Sequence, residues 1–84
     1  MAQEQFRFIA NNIDVEKLVD KLPDSLKQSV KDMEQADRDN QYFLYAELSD
    51  QFEIDTKAYV SSRLTMHEWH LLCEKYSLPP EETH

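Results

Sequence analysis

Glycine is absent from the 84 residues of this chain, although it usually accounts for about 7% of residues. Primed hairpin turns, phosphate-binding loops and dinucleotide-binding motifs depend on glycine, because they need positive φ angles. Its absence therefore argues against β-meanders and nucleotide-binding folds. Helices joined by turns of Asn, Asp, Ser and Pro remain as the expected architecture.

Cysteine and long apolar runs are also scarce. The single cysteine, Cys73, cannot form an internal disulfide, and no segment has the apolar length of a signal peptide or a membrane-spanning helix. These features favour a soluble, cytoplasmic protein. We expect one domain over 1–84. Its N-terminal arm over 1–12 and its C-terminal tail over 79–84 are the segments where flexibility is expected.

Basic residues are scarce in one stretch of the chain. Between Asp32 and Asp55, eight acidic residues accompany one basic residue, Arg38, so this stretch carries −7 of the total net charge of −8. Such an asymmetry describes a surface rather than a fold, since net charge bears on solubility and association. Nucleic-acid binding needs a basic face, so direct contact with DNA or RNA is not expected.

The spacing of apolar residues predicts an all-α fold, a small bundle of three to four helices. The first helical region covers about 14–38 and is broken at Pro23, because proline removes a backbone donor and disfavours αR in the preceding residue. Asp14 is the expected N-cap, and Pro23 the expected first residue of the second part. A single kinked helix is the alternative. In the arm, Phe6 and Phe8 are expected to lie on the body of the domain.

A long helix is predicted over 41–63, after a turn at 37–40. Projection at about 100° per residue gives it a core face of Leu44, Tyr45, Leu48, Phe52 and Tyr59. Asp55 projects into that face, where an unpaired carboxylate is costly, so we expect it to pair with Arg63, a lysine or a tyrosine hydroxyl unless the helix is exposed at that level. Glu47, Asp50 and Glu53 fall on the far side, and a second apolar strip of Phe43, Ile54 and Ala58 lies beside Glu47 and Asp50.

The clearest local signal marks a last helix over 65–76. Thr65 and Glu68 have the spacing of a capping box, and Leu64 and Trp69 that of a hydrophobic staple. The residues expected to face inward are Trp69, Leu72, Cys73 and Tyr76.

Metal binding and catalysis are the next functions to consider. His67, His70 and Glu74 share one helix face, but structural zinc sites usually carry four firm ligands, so surface histidines are the preferred interpretation and no metal site is predicted. Cys73 lacks the exposed, electropositive setting of a nucleophile. A chain this small also has little room for a catalytic pocket. We therefore predict no enzymatic activity and no cofactor.

The acidic stretch is the candidate interaction surface. Aromatic side chains are favoured interface anchors, and carboxylates can replace phosphates as partners of arginine and lysine. The candidate partner-binding residues are Asp37, Asp39, Tyr42, Phe43, Glu47, Asp50, Glu53 and Ile54. The pattern indicates a protein-binding inhibitor or a nucleic-acid-mimicking decoy, which occupies the basic surface of a nuclease or another nucleic-acid-binding protein.

Immunity proteins, antitoxins and phage-encoded anti-defence proteins such as anti-CRISPRs share this small, acidic, compact character. The similarity is one of size and composition without an aligned motif, and no family is inferred from it. The alternative function is a structural or regulatory subunit that self-associates, for example as a homodimer, through Phe43, Ile54 and Ala58. In that case the acids serve solubility. No contact with membranes is expected.

Overall fold

A computed structural model describes residues 6–77 of the chain. Its four helices are α1 (Glu16–Asp20), α2 (Asp24–Arg38), α3 (Tyr42–Lys57) and α4 (Met66–Tyr76). Over the described residues the β pairing amounts to one isolated bridge, between Val60 and Leu64. The predicted all-α fold is therefore confirmed. Residues 1–5 and 78–84, and with them the whole of the expected tail, lie outside the described part of the chain.

The break between α1 and α2 falls at Pro23, as predicted. Pro23 is the N-cap of α2, with φ −67° and ψ 163°, and its carbonyl accepts bonds from the N–H groups of Leu26 and Lys27. The expectation that Pro23 is the first helical residue was wrong by one position. Its extended ψ turns the chain between two helices, which excludes the single kinked helix.

The start of α1 differs slightly from the prediction. Val15 rather than Asp14 is the N-cap, because the first helical bond runs from the Val19 N–H to the Val15 carbonyl at 2.9 Å. The Asp14 carboxylate nevertheless accepts a bond from the Glu16 N–H at 3.1 Å. It therefore satisfies one of the free donors of the first turn, which is the physical role of a capping residue.

Helices α2 and α3 form an antiparallel hairpin. In the turn between them Asn40 adopts the left-handed region at φ 56°, which asparagine tolerates better than most residues. The Gln41 N–H then returns to the Ala36 carbonyl at 2.9 Å. Only the second half of the turn predicted at 37–40 is present, because α2 continues to Arg38.

Helix α3 ends at Lys57, and the prediction that it continues to Arg63 was wrong. Ser61 has φ 82°, which is incompatible with a right-handed helix. The Tyr59 carbonyl accepts bonds from the N–H groups of Arg63 and Leu64, at 2.9 and 3.0 Å. This turn brings Leu64 back to the core, where 3% of its surface is exposed.

The core face of α3 is rotated from its predicted position. The buried residues of this helix are Tyr45, Ser49, Phe52 and Thr56. Leu44 is 43% exposed, and Leu48 is half-buried at the edge of the core. Two polar residues are tolerated inside because their hydroxyls bond to helix carbonyls, Thr56 Oγ1 to that of Phe52 at 2.7 Å and Ser49 Oγ to that of Ala46 at 3.1 Å.

Asp55 lies at the margin of that face rather than inside it. The side chain is half-buried, and its carboxylate accepts a bond from Gln51 Nε2 at 2.8 Å. The expected partners, Arg63, a lysine or a tyrosine hydroxyl, were wrong, because a neutral amide one turn away takes that role.

The arm packs on the body as predicted. The ring of Phe8 lies 5.2 Å from that of Tyr45, and Ile9 is 2% exposed. The Ala10 N–H donates to the Lys75 carbonyl at 2.9 Å, and Lys75 Nζ donates back to the Ala10 carbonyl at 2.8 Å. The described part of the arm is irregular rather than helical, so these contacts with α3 and α4 determine its path.

Helix α4 begins with the predicted capping box. Thr65 Oγ1 accepts from the Glu68 N–H at 3.1 Å, and Glu68 Oε1 accepts from the Thr65 N–H at 2.9 Å. Glu68 Oε2 also pairs with Lys21 Nζ at 2.8 Å. The bond from Lys21, and then that from the Thr65 N–H, lower the pKa of Glu68. Of the residues predicted to face inward, Leu72 and Tyr76 are buried, while Trp69 and Cys73 are half-buried.

Candidate protein-interaction surface

The face of α3 opposite the core carries the outer stripe, which we define as Phe43, Glu47, Asp50 and Ile54. Their spacing of four, three and four residues places them one above another on a helix. Phe43 is 82% exposed and Ile54 65%, and both carboxylates between them are exposed. The stripe therefore presents acid between two apolar side chains.

The two carboxylates of the outer stripe are electrostatically uncompensated. Within residues 6–77, neither Glu47 nor Asp50 takes part in an ion pair or a side-chain hydrogen bond. The salt bridges of the described chain lie elsewhere, between Lys21 and Glu68 and between Arg38 and Glu34. The full charge of both acids is therefore available to a cationic group outside the chain.

Phe43 is positioned by a series of aromatic contacts. Its ring meets that of Tyr42 edge to face at 5.4 Å, and Tyr42 meets Phe8 edge to face at 5.7 Å. Phe8 packs in turn on the buried Tyr45. Tyr42 itself is 43% exposed. The exposed Phe43 is thus supported from the core, which reduces the entropy it loses on binding a partner.

Glu53 lies on a different side of α3 from the outer stripe. Its carbonyl accepts from Trp69 Nε1 at 3.3 Å, and its side chain is half-buried. Burial, together with the charge of Glu53, raises the pKa of the Cys73 thiol to about 11. Cys73 is therefore a protonated thiol at neutral pH and lacks the thiolate character that a nucleophile needs.

Asp37 cannot be a partner-binding residue, because it is buried with 1% of its surface exposed. Asp37 Oδ1 accepts from the Arg7 N–H at 2.8 Å. Asp37 Oδ2 accepts from the Phe8 and Ile9 N–H groups, at 2.7 and 3.1 Å. The carboxylate binds the N-terminal arm, and no local pattern in the sequence indicates this, since its partners are 28 to 30 residues away.

Asp39, two residues further on, is exposed and accepts from Gln35 Nε2 at 3.2 Å. It lies beside a groove between α2 and α3 rather than on the outer stripe. Of the residues predicted to bind a partner, the structure thus aligns four in one stripe and places Tyr42 at its end. Asp39 and Glu53 lie on the two flanks of α3, and Asp37 lies inside.

The prediction from the sequence did not identify Leu44 as an exposed residue. Periodicity assigned this residue to the core, yet it lines a depression between α2 and α3 together with Leu48 and Ala36. Leucine at a helical core spacing gives no sign of exposure. The buried face of α3 instead follows Ser49 and Thr56, and no pattern within the helix indicates this.

Across the described residues, no group of three or more His, Cys, Asp and Glu side chains is placed to hold a metal ion. His67 and His70 are exposed on α4. None of the helices described here combines the length and the apolarity needed to cross a bilayer.

Comparisons with known proteins find no counterpart: no protein-family model matches the chain, and no curated protein or solved structure is significantly similar to it. The fold and the surface define a small acidic all-α domain with an exposed stripe of carboxylates between apolar side chains.

Proposed function

We propose that this protein is a binding protein without chemistry of its own, an inhibitor or nucleic-acid decoy that occupies the basic surface of a nucleic-acid-handling protein. The observation that carries the proposal is the outer stripe of α3, with two uncompensated carboxylates between two exposed apolar side chains. The net charge of −8 surrounds this stripe with a negative field.

The chemistry of the stripe fits a cationic partner. Side chains three residues apart on a helix have Cβ atoms about 5–6 Å from each other, so Glu47 and Asp50 can both contact one arginine-rich or lysine-rich patch. Charge-assisted hydrogen bonds to arginine are stronger than neutral ones. Opposite charges also raise the association rate, and salt weakens this effect over a Debye length of about 8 Å at physiological ionic strength.

The apolar side chains at the two ends of the outer stripe can make hydrophobic contacts with a partner, in addition to the ionic contacts of the carboxylates. Phe43 and Ile54 are eleven residues apart, which corresponds to about 16 Å along the helix. Exposed aromatic and aliphatic side chains of this kind dominate binding energy when a partner encloses them. The partner is therefore expected to have two apolar contacts about 16 Å apart with a basic patch between them.

Self-association through Phe43, Ile54 and Ala58 is the second candidate, and the exposure of Phe43 and Ile54 favours it. A two-fold contact between two outer stripes in antiparallel register places Phe43 against Ile54 of the second copy. It also places Glu47 against Asp50, so that four carboxylates meet without a compensating base. Like charges repel at this distance, and the stripe suits a basic foreign partner better than a copy of itself.

A pair of charge-swap variants tests the proposed function. The variant Glu47→Lys/Asp50→Lys reverses the outer stripe, and the control Asp20→Lys/Glu74→Lys reverses two exposed acids elsewhere. Each acid-to-lysine change adds +2, so both variants change the net charge from −8 to −4. Tagged proteins are incubated with a nuclease-treated lysate of the source cells, at about 0.05 M and about 0.5 M salt.

The wild type and the control are expected to retain nucleic-acid-binding proteins at low salt and to release them at high salt or on addition of DNA. The stripe variant is expected to lose them while circular dichroism shows unchanged helix content. Equal retention by the two variants contradicts the proposal, as does a failure of DNA to compete. A salt-resistant dimer of the wild type in light scattering supports self-association instead.

A further inference from the structure

The flank of α3 that faces α2 carries a second exposed apolar surface. Near the hairpin turn, Ala36, Leu44 and Leu48 line a depression of about 270 Å³, with Asp32 and Asp39 beside them. Leu44 is 43% exposed there. This shallow depression has room for an apolar side chain of a larger partner.

A similar depression lies at the other end of the hairpin. Leu26, Ile54, Ala58 and Tyr59 line about 370 Å³, and Asp55 is among them. Projection at about 100° per residue places the α3 residues of both depressions on the same side of that helix. Their centres are about ten residues, or about 15 Å, apart along α3. We call the two depressions together the α2–α3 groove.

The carboxylates of the α2–α3 groove share one local arrangement. Asp32, Asp39 and Asp55 each accept a hydrogen bond from a glutamine amide four residues earlier. A neutral amide orients a carboxylate without cancelling its charge. No lysine, arginine or histidine is among the residues that line the two depressions. Arg38 bonds to Gln35 at 3.4 Å and Arg63 lies 5.9 Å from the centre of the Tyr59 ring, but within the described residues none of the three carboxylates is part of an ion pair. The groove therefore combines an apolar floor with three oriented carboxylates.

We propose that the α2–α3 groove binds a basic amphipathic α-helix of the partner protein. Two apolar side chains of that helix, about ten residues apart, enter the two depressions, and lysine or arginine side chains beside them meet Asp32, Asp39 and Asp55. This inference rests on the proposed function in taking the partner to be a basic protein. A flat basic surface leaves both depressions empty, and a nucleic acid is repelled by the same carboxylates.

Two synthetic peptides of identical composition test the proposal directly. The first is an 18-residue helix with leucine at positions i, i+4, i+7 and i+11 and with lysine or arginine elsewhere. The second contains the same residues in an order that forms no apolar face. The first is expected to bind saturably and at least about tenfold more tightly, since burial of one leucine contributes about one order of magnitude or more. Amide NMR signals of Leu44, Leu48 and Ala58 are expected to shift.

Three double variants show where the peptide binds. Leu44→Gln/Ala58→Gln removes apolar surface from exposed positions of the groove, so the fold is preserved and the affinity is expected to fall at least about tenfold. Asp20→Asn/Glu74→Gln removes two exposed acids outside both surfaces and is expected to change the affinity less than about threefold. Glu47→Gln/Asp50→Asn removes the same charge from the outer stripe and is expected to have no larger effect than this control.

Equal binding of the two peptides overturns the groove proposal, and so does an unchanged affinity of the groove variant. If only the outer-stripe variant weakens binding, the groove proposal fails while the proposed function stands. If neither peptide binds, the groove proposal also fails, and the charge-swap experiment with the lysate still decides the proposed function independently.

Discussion

Removal of the Asp37 carboxylate is expected to destabilise the protein more than removal of any acid on its surface. Asp37 lies in the last turn of α2, where the helix dipole disfavours negative charge. The three backbone N–H groups of the arm outweigh that cost by bonding to the carboxylate, at 2.7 to 3.1 Å. The substitution Asp37→Ala leaves these donors without their acceptor and Ile9 without its anchor.

The structure sets the size of the effect. A hydrogen bond to a charged group contributes about 1.5–3 kcal/mol, and loss of one buried partner leaves the others unsatisfied. Three such bonds do not add fully, because the arm can detach and hydrate its donors. We therefore expect Asp37→Ala to cost about 3–5 kcal/mol. A domain of this size has about 4–13 kcal/mol of stability, so the loss is a large fraction of it.

The substitution Asp37→Asn is expected to have an intermediate effect, of about 1–3 kcal/mol. An asparagine oxygen at the Oδ2 position keeps the bonds from Phe8 and Ile9. Its NH₂ group then faces the N–H of Arg7, donor against donor. The expected order of stability is therefore wild type, Asn, Ala.

Urea unfolding followed by circular dichroism measures these differences, and hydrogen exchange of the Phe8 and Ile9 amides measures detachment of the arm. The control is Asp39→Ala, which removes an exposed acid two residues away and is expected to change stability by less than about 0.5 kcal/mol. The reasoning is refuted if Asp37→Ala costs less than about 1 kcal/mol while the Phe8 and Ile9 amides stay protected.

Three further substitutions test local features of the fold. Ser61 occupies the left-handed region at φ 82°, so Ser61→Gly is expected to increase the free energy of unfolding by about 0.5–1 kcal/mol. The urea midpoint then rises, and a lowered midpoint contradicts this prediction. Thr56→Val removes the hydroxyl that accepts from Trp69 Nε1 at 3.1 Å but leaves the Glu53 carbonyl as an acceptor at 3.3 Å, so it is expected to cost about 0.5–1.5 kcal/mol in the same assay, whereas a neutral result shows that the bond is dispensable. Bonds from Lys21 and the Thr65 N–H lower the pKa of Glu68 in the folded state, so its contribution is present above the unfolded pKa and is lost as the pH falls through the folded pKa. Glu68→Gln is therefore expected to lower Tm at neutral pH and to match the wild type at roughly pH 2–3, and an equal Tm difference at both pH values argues against that linkage.

The parts of the fold that the sequence predicts correctly depend on neighbouring residues. Pro23 breaks the first helical region because the ring acts on its own peptide bond and on the preceding residue. The capping box of Thr65 and Glu68 is a contact across one helical turn. The alignment of the outer stripe follows from helical periodicity once α3 is recognised, and so it too is a local property.

The parts that sequence reasoning missed depend on distant contacts. Asp37 is a surface acid by every local rule, and only the arm, 28 to 30 residues earlier, explains its burial. Thr56 is buried because the Trp69 indole approaches it from α4. Leu44 is exposed since the buried face of α3 follows Ser49 and Thr56, and no pattern within α3 ranks these polar residues above a leucine.

Trp69 is the single tryptophan of the chain, and its location makes it an intrinsic fluorescent reporter of folding. Its Nε1 bonds to Thr56 on α3, and Lys57 Nζ lies 5.3 Å from the centre of its ring. The emission therefore depends on whether α3 and α4 remain together. The α2–α3 groove is lined by residues of α2, α3 and the turns after them, with none from α4. A dye on a peptide that binds there would report binding at a wavelength different from that of Trp69. Stability and ligand occupancy can thus be followed as two separate optical signals in one sample.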